Sequence, residues 1–354
     1  MDRLKLSWAR EGNGDMRSFS AIAATMLIAG PWAGSGAVRA DPISDFYKSK
    51  TVTALVGVSA GGEYDLKLRL VARHIGKHIP GRPTVVPQNM TGATGLVMAN
   101  FLYNVAPKDG TYIGLIQNGL PTAQAVGADG VKFDATQFQW IGSVAPTTET
   151  MVTWKTTGVT TIEEARQKEV IAGAVGSSGI TLTFPVMLND LVGARFKMVL
   201  GYTGTGALDL AMERGEVSGR AGSWSSIKAS KPNWIANKDL NVLVHSGPKP
   251  KDLPGVPSVE DFLRNAQDRQ VLDVVTVGDT LGHPFAAPPG VSADRVEALR
   301  KAFADMLEDS EFRKEAALNN LEIDPVSAQA LSGAVNRALG ASSEARQRAR
   351  KYFQ

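Results

Sequence analysis

Cysteine is absent from all 354 residues of this chain. Disulfide bonds, thiolate nucleophiles and cysteine-based metal sites are therefore excluded, and so is a lipid anchor on an N-terminal cysteine. Histidine is scarce as well, with four residues. The remaining composition, 43% hydrophobic and 21% charged, is that of a globular protein and excludes disordered and collagen-like classes.

Long apolar runs are also missing, apart from one near the N-terminus. Arg17 precedes a mostly apolar stretch over residues 19–32, and small residues follow up to Ala40. This order is typical of a secretory signal peptide, so we expect residues 1–40 to be removed by cleavage after Ala40, with Ala37 an alternative position. No later window approaches the ~18 apolar residues of a membrane span, which predicts a periplasmic product without a membrane anchor.

The charge balance gives no indication of a nucleic-acid partner. The chain carries 38 basic and 35 acidic residues, and five of the basic ones lie within the predicted signal peptide. The part that follows is nearly neutral, so the pI near 9.0 is not evidence of a basic binding surface. We expect a monomer that binds neither nucleic acid nor a cofactor.

Beyond residue 50, short β-branched runs such as Val170–Val175 alternate with helical patterns, which predicts an α/β fold with mainly parallel sheets flanked by helices. The pattern favours two lobes, one formed by residues 41–142 with 276–354 and one by residues 143–275. After Gln270 the pattern predicts a strand that leads into Ala287–Gly290.

Glycine, serine and threonine are concentrated in four loops that each leave a predicted strand and open a predicted helix. These loops are residues 59–62, 89–95, 176–179 and 202–206. Free N–H groups at a helix N-terminus favour an anion, and glycine lets a ligand approach the backbone. A single loop of this kind is also ordinary turn chemistry, but two per lobe predict a cleft that holds both ends of an anionic ligand.

Several of these segments resemble one protein family. Three runs in the first half, Gly57–Asp65, Gln88–Ala93 and Ala106–Thr111, are similar to the receptors of tripartite tricarboxylate transporters, also called Bug-type receptors. Later blocks of that family follow in the same order, at Gly201–Gly204, Gly215–Gly219 and Ala287–Val291. The resemblance covers essentially all of residues 45–330.

The resemblance implies a two-lobed periplasmic binding protein of the type II-like kind, with a ligand cleft between the lobes and no enzymatic activity. It implies a ligand that is a small organic carboxylate, namely a di- or tricarboxylate, an acidic amino acid or an aromatic acid. It also implies delivery of that ligand to the permease subunits of a tripartite tricarboxylate-type membrane transporter. A sensor kinase is the alternative partner.

Matching positions carry the family's ligand contacts onto this chain. In the first lobe they are Ser59, Ala60, Gly61, Gly62, Asp65, Asn89, Thr91 and Gly92, and in the second Ser177, Ser178, Thr181, Tyr202, Thr203 and Gly204. Arg220, at a predicted strand end, is a further candidate for pairing with a carboxylate, or a structural arginine. Glu63 departs from the family pattern and brings negative charge near the ligand.

A hydrolase is the main alternative, because residues 57–61 match the G-x-S-x-G elbow with Ser59 as nucleophile. Its acid would be Asp273 or Asp279 and its base His283. The elbow lies on the first strand after the signal peptide, so no earlier strand supplies the second oxyanion donor, and we favour the receptor.

His74 and His78 have the spacing of a helical metal pair. Lys77 beside them would repel a cation, and the glutamate that a zinc protease carries next to its first histidine is replaced here by Ile75. We therefore expect a solvated helix face and no metal.

Overall fold

The computed structural model describes residues 41–175 and 179–353. In chain order its strands are β1 (Thr51–Val56), β2 (Thr84–Asn89), β3 (Tyr112–Leu115), β4 (Gln139–Ser143), β5 (Glu149–Trp154), β6 (Val170–Val175), β7 (Phe196–Tyr202), β8 (Gly219–Ser223), β9 (Leu240–Ser246), β10 (Pro284–Ala287) and β11 (Val326–Ser327). Its α-helices are α1 (Pro42–Tyr47), α2 (Glu63–Ile75), α3 (Leu96–Asn104), α4 (Leu120–Ala125), α5 (Ile162–Gln167), α6 (Ile180–Leu191), α7 (Thr205–Glu213), α8 (Trp224–Ser230), α9 (Pro232–Ala236), α10 (Ala266–Leu281), α11 (Ala293–Glu308), α12 (Ser310–Leu318), α13 (Ala328–Leu339) and α14 (Ser343–Arg350).

The strands form two sheets, as the predicted two-lobed α/β fold requires. The first sheet has the order β11-β4-β10-β3-β1-β2 and the second the order β7-β6-β8-β5-β9. Both sheets are mixed, and the expectation of mainly parallel sheets was wrong. In the first sheet β1 pairs in parallel with β2 and β3, while β10 pairs antiparallel with β3 and β4. The strands β5 and β10, by which the chain enters each sheet from the other, run antiparallel to both of their neighbours.

Helices cover both faces of each sheet with apolar side chains. One face of the first sheet packs on a core that includes Leu68 of α2 and Phe303 of α11, and the other on a core that includes Met98 of α3. In the second sheet, Phe184 of α6 and Leu208 of α7 lie in the two corresponding cores. Burial of such side chains stabilises the fold by roughly 1.5–3 kcal/mol each, so none of the sheets needs a disulfide.

The strand expected between Gln270 and Ala287 is confined to β10, and the residues before it, up to Leu281, belong to the helix α10. Val271, Val274 and Leu281 of α10 are buried, and their spacing has a helical period. The Asn265 side chain caps the helix by accepting a hydrogen bond from the N–H of Asp268 at 2.9 Å. Residues 271–281 are helical because α10 packs into cores of both sheets along its length.

The C-terminal segment also contacts both cores. Leu331 of α13 packs beside the first sheet, whereas Ala345 and Tyr352 pack with α6 beside the second. Arg348 pairs with Asp190 of α6 at 2.6 Å. The domain boundaries at residues 142/143 and 275/276 stay a prediction.

His74 and His78 contact α12, so the expected solvated face was wrong. His74 Nε2 lies 2.7 Å from Glu315 Oε2, and His78 Nε2 lies 3.0 Å from Asp309 Oδ2. The ring of His74 also packs edge-on against Phe312. The packing of α12 along α2 is a long-range contact that the local spacing does not encode.

Within the described residues, no helix has both the length and the apolarity needed to cross a bilayer.

Candidate functional site

The first predicted binding loop lies between β1 and α2. Ser59, Ala60, Gly61 and Gly62 are all exposed, and Gly62 is the N-cap of α2. Gly61 has φ +96°, which favours glycine. The loop is therefore an exposed segment at the start of a 13-residue helix.

Asp65 and Asn89 hold this loop in place. Asp65 Oδ2 accepts hydrogen bonds from Gly61 N at 2.8 Å and Arg69 Nε at 2.9 Å, and its Oδ1 accepts one from Asn89 Nδ2 at 2.8 Å. Asn89 Nδ2 also donates to Val58 O at 2.9 Å, and Asn89 Oδ1 accepts from Arg69 at 2.9 Å. Both side chains are engaged by the protein itself, so they shape the first loop.

The second loop packs directly on the first. Thr91 is exposed and Gly92 is half-buried. Gly95 begins α3 with φ +87°, and a Cβ on Gly57 would lie 2.5 Å from the Gly95 Cα. The structure thus brings the two loops of the first sheet together at its carboxyl edge, where ligands of open α/β sheets bind.

The residues predicted in the second sheet differ in exposure. Thr181 is buried in α6 and its Oγ1 accepts a hydrogen bond from Val175 N at 3.0 Å. Tyr202 ends β7 and is half-buried, Thr203 is exposed, and Gly204 is the N-cap of α7. Ser177 and Ser178 lie outside the described residues.

Arg220 is buried within the second sheet. Its Nε lies 2.6 Å from Asp209 Oδ1, and both side chains are less than 5% exposed. Its Nη1 donates to Ala221 O at 3.3 Å. The guanidinium therefore pairs with a carboxylate of the protein. This is the structural role, one of the two alternatives that the sequence left open.

A cavity of about 590 Å³ lies between elements of the two sheets. Tyr64, Lys67 and His283 line it from the first sheet, and Ser223, Ser225 and Lys228 line it from the second. Pro146, in the segment that crosses between the sheets, also lines it. Sequence reasoning did not place this group together, because Lys67 and His283 are 216 positions apart.

Lys67 is the central charge of the first wall. Its side chain is 3% exposed, and its Nζ lies 2.8 Å from Glu63 Oε1 and 3.1 Å from His283 Nδ1. Burial, with the charge of Lys67 second, lowers the pKa of His283 to about 4. The imidazole is therefore neutral at pH 7 and accepts a hydrogen bond from the ammonium group.

Tyr64 fixes the start of α2 against this wall. Its hydroxyl donates to Gly282 O at 3.0 Å and accepts from Asn118 N at 3.2 Å, and its ring packs on His283 at 4.6 Å between centroids. Burial raises the pKa of Tyr64, so it stays a neutral phenol. Tyr64 could not be singled out in the sequence, because its partners lie in segments distant along the chain.

The opposite wall adds hydroxyl groups and a second ammonium group. Ser223 and Ser225 are joined by a hydrogen bond of 2.9 Å between their Oγ atoms, and Lys228 Nζ lies 2.9 Å from Asp252 Oδ2. Lys228 is 38% exposed. Two ammonium groups with hydroxyl donors on facing walls suit an anionic, hydrogen-bonding ligand.

The hydrolase geometry is not formed in the described residues. His283 Nδ1 faces Lys67, and its backbone N–H bonds Ser143 Oγ at 3.0 Å. Asp279 accepts a hydrogen bond from Ser246 at 2.5 Å. Neither residue makes the hydrogen bond to Ser59 or to the other that a catalytic triad requires.

Neither a protein-family model nor a curated protein sequence matches this chain. Solved structures do. A TctC solute-binding protein from Polaromonas, without ligand, matches with a TM-score of 0.67 and 18% identity over 83% of this chain and 96% of its own. The fold is that of the TctC and Bug-type periplasmic binding proteins.

Two further solved structures of this fold contain a carboxylic acid. MatC from Rhodopseudomonas palustris with bound malate has a TM-score of 0.54 and 17% identity, over 84% of this chain and 99% of its own. The R. palustris protein Rpa4515 with adipate has a TM-score of 0.55 and 19% identity, over 85% and 97%. The predicted fold class is thereby confirmed, while the contact residues stay predictions.

Proposed function

We propose that this protein is an extracytoplasmic receptor that captures a small organic carboxylate and delivers it to a tripartite tricarboxylate-type membrane transporter. The cavity between the two sheets carries the proposal, because Lys67 and Lys228 line its opposite walls together with serine hydroxyls. A ligand with a carboxylate at each end would contact both walls. Such contacts favour closure of the two lobes around the ligand, since closure lets both carboxylates contact donors at the same time and strengthens their attraction.

The glycine loops add to this proposal. The starts of α2 and α3 lie at the carboxyl edge of the first sheet, and α7 follows Gly204 in the second. Backbone donors stabilise carboxylates without placing a further charge in the site. Malate and adipate in solved structures of the same fold make dicarboxylates the first ligands to test.

Export and the transporter partner are part of the same proposal. The predicted signal peptide over residues 1–40 supports a periplasmic location, and a soluble carrier there needs a membrane partner to complete uptake. A sensor kinase as the partner is the second candidate, since ligand-driven closure serves signalling equally well. Deletion of the transporter genes separates the two, because uptake is lost only if the receptor serves a permease.

Thermal unfolding with a panel of acids tests ligand capture. The panel is malate, adipate, citrate, aspartate and benzoate, with p-nitrophenyl esters as the test for hydrolysis. A ligand at 100 times its Kd stabilises by about 2.7 kcal/mol, which raises Tm by at least ~2 °C in a protein of this size. The proposal expects one acid class to raise Tm and no ester cleavage. Cleavage that depends on Ser59, with no response to any acid, would replace it with the hydrolase.

A further inference from the structure

Glu63 and Lys67 form an unequal ion pair on the cavity wall. Both are on α2, four residues apart, with Nζ and Oε1 separated by 2.8 Å. The lysine side chain is 3% exposed, whereas the glutamate side chain is 61% exposed. The cation is therefore fixed in the wall by its surroundings, while the carboxylate is free to rotate into solvent.

Glu63 is the carboxylate that neutralises Lys67 within the described residues. The other close contact of the ammonium group is His283, which is neutral at pH 7 because burial and Lys67 lower its pKa to about 4. The pKa of Glu63 is itself lowered, since the attraction of Lys67 outweighs the opposing effect of burial. Glu63 is thus ionised. Its carboxylate is the counter-ion of Lys67, the role that a ligand carboxylate would take.

On the facing wall, the carboxylate that pairs with the lysine is held more firmly. Lys228 pairs with Asp252 at 2.9 Å, but Asp252 also accepts a hydrogen bond from Trp224 Nε1 at 3.0 Å. That carboxylate has two partners that hold it. Glu63 has no hydrogen bond beyond the lysine pair among the described residues, apart from a 3.5 Å approach to His283 Nε2, so it is the more easily displaced of the two.

Resting on the proposed function, we propose that Glu63 is a built-in competitor, whose carboxylate occupies Lys67 until a ligand carboxylate displaces it. The Lys67 subsite then accepts one carboxylate of a mono- or dicarboxylic acid, and neutral ligands gain nothing from it. The apparent affinity is reduced by the fraction of molecules in which Glu63 holds Lys67. Glu63 would thereby set the ligand concentration at which the receptor loads, independently of the residues that recognise the rest of the ligand.

Isothermal titration of the Glu63→Gln variant with adipate and with malate tests this inference. The amide keeps the size of the side chain and removes its charge, so the Kd of the acid that binds is expected to fall by about 3- to 10-fold. Glu163→Gln is the matched control, because Glu163 is an exposed first-turn acid of α5 and receives the same charge change away from the cavity. Its Kd should equal that of the wild type.

Lys67→Met gives the complementary result, with at least ~10-fold weaker binding in a variant whose circular dichroism is unchanged. If that variant does not fold, the comparison of Glu63→Gln with Glu163→Gln still decides. Equal Kd values for wild type and Glu63→Gln overturn the inference while the receptor function stands. If Glu63→Gln binds an acid and the wild type does not, both the receptor function and the inference are supported. Failure of wild type and every variant to bind any acid of the panel overturns the receptor function and the inference with it.

Discussion

At the scale of single residues, Asp65 is a buried carboxylate that remains ionised. Burial disfavours its charge, but hydrogen bonds from Arg69, Asn89 and Gly61 outweigh that effect and lower its pKa to about 2. The folded state therefore prefers the ionised form more strongly than the unfolded chain does. Its contribution to stability is present above the unfolded pKa near 4 and is lost as the pH falls through about 2.

Asp65→Asn should lower the free energy of unfolding at pH 7 by about 1–3 kcal/mol, because Arg69 and Gly61 N lose a charged acceptor. Urea unfolding at pH 7 and at pH 3 measures the effect, which should shrink at the lower pH. Asp294→Asn is the matched control, an exposed first-turn acid of α11, and should change stability by less than ~0.5 kcal/mol. A loss for Asp65→Asn that is equal at both pH values would contradict this account.

At the scale of elements, the two glycine loops of the first sheet differ in what surrounds them. Gly61 has a positive φ but open space around a hypothetical Cβ, whereas a Cβ on Gly95 would lie 2.1 Å from Gln117 Oε1. The first glycine is required by backbone conformation alone. The second is required by conformation and by the close approach of the loop to Gln117.

Alanine at these two positions separates the two causes. Gly61→Ala should cost about 1 kcal/mol of unfolding free energy from left-handed strain, and Gly95→Ala about 2–4 kcal/mol from strain plus the clash. Chemical denaturation of both variants gives the comparison. Equal losses would mean that Gln117 moves aside without cost and that packing at α3 does not restrict the second loop.

At the scale of the whole molecule, buried ionisable groups lie where the chain passes between the sheets. Asp279 of α10 accepts a hydrogen bond from Ser246, and Glu149 lies opposite Ser246 on β5. Burial raises the pKa of Asp279 to about 7, and burial together with Asp279 raises the pKa of Glu149. Arg220 partly offsets the effect on Glu149. The two buried carboxyl groups therefore titrate as a coupled pair, each with its pKa raised.

Because the folded pKa of Asp279 is raised, its contribution to stability is full below about pH 4 and is lost as the pH rises through about 7. Asp279→Asn does not titrate. Its unfolding free energy relative to wild type should therefore shift in favour of the variant by about 1–3 kcal/mol between pH 5 and pH 8. Urea unfolding across that range provides the measurement. Parallel pH profiles of the two proteins would show that the carboxyl group is ionised throughout.

Local rules account for much of what the sequence predicted. The bounds of β6, Val170–Val175, follow from a mostly buried apolar run. Gly61 lies in a loop with positive φ between a strand and a helix, where the glycine pattern placed it. Such features depend on backbone conformation and side-chain period over a few residues, which the sequence by itself determines.

Contacts between distant segments decided the rest. Residues 271–281 form a helix because they pack into cores of both sheets, and Arg220 pairs with Asp209 on another element. Lys67 and His283 share a cavity wall although no local pattern links them. The physical reason is that burial and pairing depend on which surfaces meet after folding. The sequence alone determined the loops and their chemistry, and the tertiary structure decided which charges face the cavity.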